Sequence, residues 1–493
     1  MDVTAGNEHR RNGNNMNPLC LQSASSLAAG IRSGELRSED VVRAHIHRLQ
    51  VVNPTLNLVV RDRFEAALSE ARAADSRLAM EGPDGLPPFH GVPCSIKESF
   101  ALEGMPNTAG LVSRAGHIAT RDATAVARLR AAGAIPLGVT NVSELCMWME
   151  SHNKLYGRSR NPYDPGRIVG GSSGGEAGVV GAGGAPFGLG SDIGGSIRMP
   201  AFFNGVFGHK PTGGLVPGTG QFPGGSGEQL RYVTTGPICR RAEDLWPLLR
   251  AMAGPDGEDP GCREVALGDP SGVALEDLTV LDVPDNGMTP LHPSLRAAQE
   301  RVVAHLASRG ARVVRARIPA LRDSLFIWSS MLSAAGGPSY AELLADGGSF
   351  HLGRELIRSL WGGSPFTLPS LGLALLELVP KLLPKGADKF IAKGEALKAE
   401  LVDRIGPRGV MLYPSYAEPA PRHRMPLLPP TRWAYTCILN VMELPSTQVP
   451  LGLDGRGLPL GVQVVGIHDN DHVTVAVALA LEKAFGGWVP PPR

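Results

Sequence analysis

Apolar residues first recur at helical spacing near the start of the chain. Ser38 precedes Glu39 and Asp40, and Val41, Val42, Ile46 and Leu49 then fall on one face, the pattern of a capped amphipathic helix. A second helix is expected from about Asp62 to Leu78, with Phe64, Leu68, Ala71 and Leu78 turned inward. Short apolar runs follow at Val92–Ile96 and Ala134–Val139, on either side of a helical stretch over 123–132. Later runs at Leu278–Val283, Val410–Tyr413 and Leu460–Val465 also read as strands. Strands that alternate with helices predict an α/β sheet covered on both faces. With no internal repeat and no long linker, the pattern gives one large α/β domain.

Two stretches stand outside this rhythm. The first eighteen residues are polar and without an apolar core, so they read as a disordered tail ahead of a domain spanning 19–493, and as neither signal peptide nor transmembrane anchor. From Trp361 to Pro384 leucine dominates, interrupted by Pro369, Glu377 and Pro380. Those interruptions rule out an apolar span of ~20 residues. A buried core helix and an apolar wall over a binding site, in peripheral contact with lipid, both remain open.

Composition narrows the class of protein. Of 493 residues 43% are hydrophobic, enough for a large core. The 48 basic and 47 acidic residues nearly cancel and form no long run, which excludes a nucleic-acid groove. Six cysteines lie far apart without a CxxC pair, which argues against a disulfide framework or structural zinc and for a reducing, cytoplasmic setting.

The chemistry concentrates where glycine does. Residues 170–201 read GGSSGGEAGVVGAGGAPFGLGSDIGGSIRMPA, with Ser172–Ser173 and Ser196 in separate glycine-rich turns. Glycine lets main-chain N–H groups converge on one point, as an oxyanion hole requires. The amides of Ile193, Gly194, Gly195 and Ser196 are the candidates. A phosphate-binding loop is excluded because no GxxxxGK[ST] occurs. GSSGG at 171–175 formally matches a nucleophile elbow centred on Ser173, but that motif needs a following acid and histidine. His423, His468 and His472 have no distinctive setting, so this reading is set aside.

The same block fits the amidase signature along its whole length: the GGSSGG start, the small-residue middle and DIGGSIRMP. GVPCSIKE (91–98), GVTNVSEL (138–145) and NPYDPGRIVGGSSGG (161–175) also resemble amidases. KESFALEGMPN, SELCMWMESHNKLYGRSRNPYD, SDIGGSIRMPAFFNGVFGHKPT and LEKAFGGWV are similar to the fatty-acid amide hydrolase branch, from about Leu19 to the end. The polar N-terminus departs from the membrane-spanning helix with which those enzymes begin. The resemblance implies a mixed central sheet covered by helices, a possible homodimer, and hydrolysis of a small-molecule carboxamide without metal or cofactor. It also implies a Ser–cis-Ser–Lys triad, carried here by Ser196 as nucleophile, Ser172 after a cis peptide bond as bridge, and Lys97 as base. A lysine serves as base only when neutral, which requires burial.

Around this triad Ser173 is expected to support Lys97 or cap a turn, and Asp192 and Arg198 to brace the loop. Cys94 and Glu98 beside Lys97 suggest a nitrilase-like Glu–Lys–Cys set, but the second carboxylate and the cysteine context are missing. His468, Asp469, Asp471 and His472 imitate a metal site and read as a solvated loop. Two other functions stay open: a glutamine-amidohydrolase subunit of an amidotransferase, and a non-catalytic binding protein on an amidase scaffold.

Overall fold

A computed structural model describes residues 16–377, 387–427 and 431–492. Most of the expected N-terminal tail, and residues 378–384 of the leucine-rich segment, lie outside them. Met16 is buried in a small apolar cluster and a 3-10 turn starts at Pro18, just ahead of the expected boundary at Leu19.

The predicted strands form with small shifts. β1 is Val59–Asp62, β2 Val92–Lys97 and β3 Ala134–Thr140. β4 (His152–Asn153) and β5 (Gly157–Arg158) make a separate small hairpin. β6 is Phe187–Asp192, β7 Phe207–Lys210, β8 Thr234–Cys239, β9 Thr279–Asp282 and β10 Arg312–Arg315. β11 is Gly409–Tyr413, β12 Ser446–Leu453 and β13 Pro459–Val465. Eleven of these build one sheet in the order β1-β3-β2-β6-β8-β7-β12-β13-β11-β9-β10. β3, β2 and β6 run parallel, as do β11, β9 and β10, while the strands between them pair antiparallel. The sheet is therefore mixed, within a single α/β domain.

Helices cover it much as the periodicity required. Ser38–Leu56 buries Val41, Val42, Ile46 and Leu49, and Phe64–Glu81 buries Ala67 and Ala71. Ser38 itself is not the cap. It lies inside the helix and donates to Gly91 O at 2.7 Å, while the Asp75 carboxylate accepts from the amides of Ser38 and Glu39. An acid from a neighbouring helix thus satisfies the first-turn donors.

Among the strands the pattern did not predict, which include β1, β7, β10 and β12, the central β6 and β8 (FGLGSD and TTGPIC) carry glycine where a strand usually carries a large side chain. Close packing explains the choice. A Cβ on Gly188 would sit 1.5 Å from Glu176 Oε1, and one on Gly236 would sit 2.1 Å from His209 O.

The described part of the leucine-rich segment, 361–377, is not a fully buried core helix. Leu368–Leu376 buries Leu371 and Ala374, but Leu375 and Leu376 face solvent, as do Leu360 and Trp361 ahead of it. Among the described residues no helix is long and apolar enough to cross a membrane.

Candidate active site

The site forms at the carboxyl ends of the parallel neighbours β2 and β6. β2 is buried on both faces, so the lysine that ends it has no route to water. Lys97 is fully buried, and Nζ donates to Ser172 Oγ at 2.7 Å and to Ser191 Oγ at 2.9 Å. Burial is the main influence on this amine and lowers its pKa from the ordinary lysine value, against the opposing pull of Cys146, Asp192 and Glu176. Ser172 sits in the turn that enters the Gly174–Gly181 helix, and the Gly171–Ser172 peptide bond is cis.

Ser196 lies in the loop after β6. Ser173 N donates to Ser196 O at 3.2 Å, which stitches the two serine turns together. The Ser196 side chain makes no hydrogen bond among the described residues and faces a cavity of about 70 Å³. Three tryptophans (Trp148, Trp328, Trp433) dominate its wall, joined by Met147, Met149 and Leu373 from the leucine-rich helix.

Asp192 organises the loop. Its carboxylate accepts from the amides of Gly195 at 2.6 Å and Ile197 at 3.0 Å, and takes two bonds from the Arg198 guanidinium at 2.9 and 3.0 Å. Burial alone would raise its pKa, but Arg198 and these donors hold it well below the usual carboxylate range. Arg198 continues to Asn440 and Gln463 at 2.7 and 2.9 Å, so this buried charge pair is fully partnered.

Two readings need correction. The Gly195 amide does not belong to the oxyanion candidates, because the Asp192 carboxylate already occupies it. The amides of Ile193, Gly194 and Ser196 carry no acceptor among the described residues. Ser173 makes no hydrogen bond to Lys97; it stands at the N-cap position of the Gly174–Gly181 helix without a side-chain cap bond, and its hydroxyl exchanges hydrogen bonds with the Ser191 main chain at 3.2 and 3.4 Å. The second hydroxyl on Lys97, beside that of Ser172, belongs to Ser191, a residue that sequence reasoning missed. Its one local signal was a polar side chain at the end of GLGSD.

The other groups near Lys97 have structural tasks. Glu98 accepts from the Thr108 and Ala109 amides at 2.8 Å, and burial pushes the Cys94 thiol up. Glu176, pushed up to about 7 by burial, takes bonds from Ser95 and Thr140 at 2.5 and 2.6 Å. The expected solvated loop at 468–472 is partly buried: Asp471 accepts from Thr212 and contacts His209, and Asp469 pairs with Arg263. Among the described residues no three His, Cys, Asp or Glu side chains are grouped to hold a metal ion.

Comparison with known proteins gives the family. The amidase family model matches residues 40–475, and the chain belongs to that family of amide-hydrolysing enzymes. It is 48% identical to fatty-acid amide hydrolase 2 of Homo sapiens, over 96% of this chain and 91% of that one. It is 31% identical to the indoleacetamide hydrolase of Bradyrhizobium diazoefficiens, over 95% of this chain and 87% of the relative. Among solved structures, 6-aminohexanoate cyclic dimer hydrolase with its substrate superposes at a TM-score of 0.79, with 26% identity, over 97% of this chain and 99% of that one.

Proposed function

We propose that this amidase cleaves carboxamides bearing an apolar acyl or aryl group, through an acyl-enzyme on Ser196. The observation that carries the reading is a buried, hydroxyl-bound Lys97 behind Ser172, next to a cavity into which Ser196 presents an unengaged hydroxyl. Neutral Lys97 takes the Ser172 proton as Ser172 takes that of Ser196, and the Ser196 oxygen bonds to the amide carbon. The amides of Ile193, Gly194 and Ser196 stabilise the oxygen anion that results. The proton returns through Ser172 to the leaving nitrogen as the C–N bond breaks, because an unprotonated amide anion leaves badly. Water then enters by the same relay and frees the acid.

The uncharged wall of tryptophan, methionine and leucine supports an apolar acyl side, as does the similarity to fatty-acid amide hydrolase 2. Leu373 faces the cavity while Leu375 and Leu376 of the same helix face outward, which supports peripheral lipid contact at this helix. Six free cysteines fit a reducing, cytoplasmic setting.

The test is an amide panel from acetamide through aryl amides to oleamide, with wild type and Ser196→Ala. Turnover of aryl or long-chain amides that vanishes in the variant is expected. Equal activity in both proteins removes Ser196 from the chemistry, and turnover confined to acetamide removes the apolar substrate.

A further inference from the structure

The loop that follows β6 is fixed by its carbonyls. In a trans peptide the C=O and N–H of one link point in opposite directions, so a donor that anchors the carbonyl on one side turns the amide to the other, toward the Asp192 carboxylate for Gly195 and Ile197. Asp192 O accepts from Asn440 Nδ2 at 2.8 Å, Gly194 O from Thr436 Oγ1 at 2.8 Å, and Ser196 O from the Ser173 amide at 3.2 Å. The link between Ile193 and Gly194 is held by a different element. Trp328 Nε1 donates to Ile193 O at 2.9 Å. Gly194 contributes the amide of that link, one of the three left without an acceptor.

Trp328 is itself well seated. It lies on the Ser324–Ala334 helix beside Ile327 and Met331, both buried against the Ala387–Ile405 helix. Its ring meets Trp433 edge-on at 4.9 Å. The two indoles close over Gly194: a Cβ there would lie 3.1 Å from Trp433 and 3.6 Å from Trp328. A Cβ at residue 194 would crowd the Trp433 ring, so the loop approaches the rings with bare backbone.

We propose that Trp328 is a positioning residue for the hydrolytic step. Its indole N–H fixes the Ile193 carbonyl and thereby aims the Gly194 amide at the substrate oxygen as negative charge develops there. This role rests on the acyl-enzyme reading above. It differs from that of a wall residue, because the ring face contacts ground-state substrate while the N–H acts only through the loop. Loss of the N–H alone therefore affects turnover more than binding.

The experiment compares wild type, Trp328→Phe and Ser196→Ala on one aryl amide. It also measures affinity for a boronic acid, which forms a tetrahedral adduct, and for the product carboxylic acid. For Trp328→Phe the expected result is a kcat lower by about 10- to 100-fold with KM changed less than about twofold. Boronic-acid affinity falls by the same factor as kcat/KM, and product affinity is unchanged. Should Trp328→Phe fail to fold, replacement of Trp328 by benzothienylalanine removes the N–H and keeps the ring shape, and the same outcomes apply. An unchanged kcat, or a raised KM at unchanged kcat, overturns the proposal and leaves Trp328 as a wall. If Ser196→Ala stays active, the underlying acyl-enzyme reading fails instead, so the two failures are distinguishable.

Discussion

From Asp192 to Arg198 the loop beneath the cavity is buried apart from Ile193, and its charges are paired and its carbonyls hydrogen-bonded. The helix that lends Leu373 to the same cavity leaves Leu368, Leu375 and Leu376 in solvent, and Leu360 and Trp361 ahead of it stand there too, with Trp361 79% exposed. That roof is tied down at a few points, such as Thr367 to the Glu144 carboxylate at 2.9 Å and Tyr340 N to Glu377 at 3.0 Å. The floor uses polar contacts to fix a handful of backbone groups. The roof leaves apolar surface uncovered. A reaction needs the first kind of construction, because misaligned donors lose transition-state stabilisation steeply. Admission of an apolar group needs only the second.

The sharpest way to break this contrast is at the floor. Lys97→Arg keeps a buried positive charge but cannot supply a neutral amine, and is expected to lower kcat on the order of 10³-fold or more, read by steady-state assay. If the variant keeps near-wild-type turnover, Lys97 is not the base. Asp192→Asn leaves Arg198 with a neutral partner in a fully buried site, and a loss of about 3–5 kcal/mol in urea unfolding is expected. A loss below ~1 kcal/mol means that the loop is not held by this pair.

The next prediction concerns pH. Burial lowers the Lys97 pKa, and the working form is the neutral amine. Below that lowered pKa the amine is protonated and holds no lone pair, so kcat/KM rises with pH, about tenfold per unit, then levels off before the ordinary lysine range. Measured profiles that fall with rising pH over this limb contradict the neutral-lysine mechanism. Ser191→Ala, which removes the second hydroxyl on Nζ, is expected to lower kcat by roughly tenfold and to displace the limb. An unshifted profile makes Ser191 dispensable.

The smallest effects belong to the roof. Leu375→Ser with Leu376→Ser is expected to change unfolding stability by no more than about 0.5 kcal/mol each, since both side chains are already wet. Hydrolysis of acetamide stays unchanged, while oleamide turnover and sedimentation with phospholipid vesicles fall. Equal loss on both substrates merges roof and floor into one unit and ends the contrast.

The two regions were also legible to different degrees. β2, β3, β11 and β13 announced themselves as apolar runs, the proposed catalytic serines Ser172 and Ser196 through a long glycine-serine motif, and Lys97 through the separate GVPCSIKE stretch. β6 and β8 did not, since the glycines that let Glu176 and His209 approach remove the side chains on which a strand pattern depends. The donors that fix the loop lie far along the chain: Trp328 is 135 residues from Ile193, Thr436 is 242 from Gly194 and Asn440 is 248 from Asp192. Such pairings arise from the topology of the sheet and leave no local spacing to read. Gly195 was misassigned for a related reason. A glycine-rich turn shows that amides converge, not which of them a nearby carboxylate has already taken.

The most direct test of the account is to catch the covalent intermediate. Wild-type protein is mixed with a long-chain or aryl amide, quenched in acid within the first turnover, digested, and the acylated peptide sequenced by mass spectrometry. The account predicts an acyl mass on Ser196 and none in Ser196→Ala. Acylation of Ser172, Ser173 or Cys146, or a label that survives in Ser196→Ala, contradicts it.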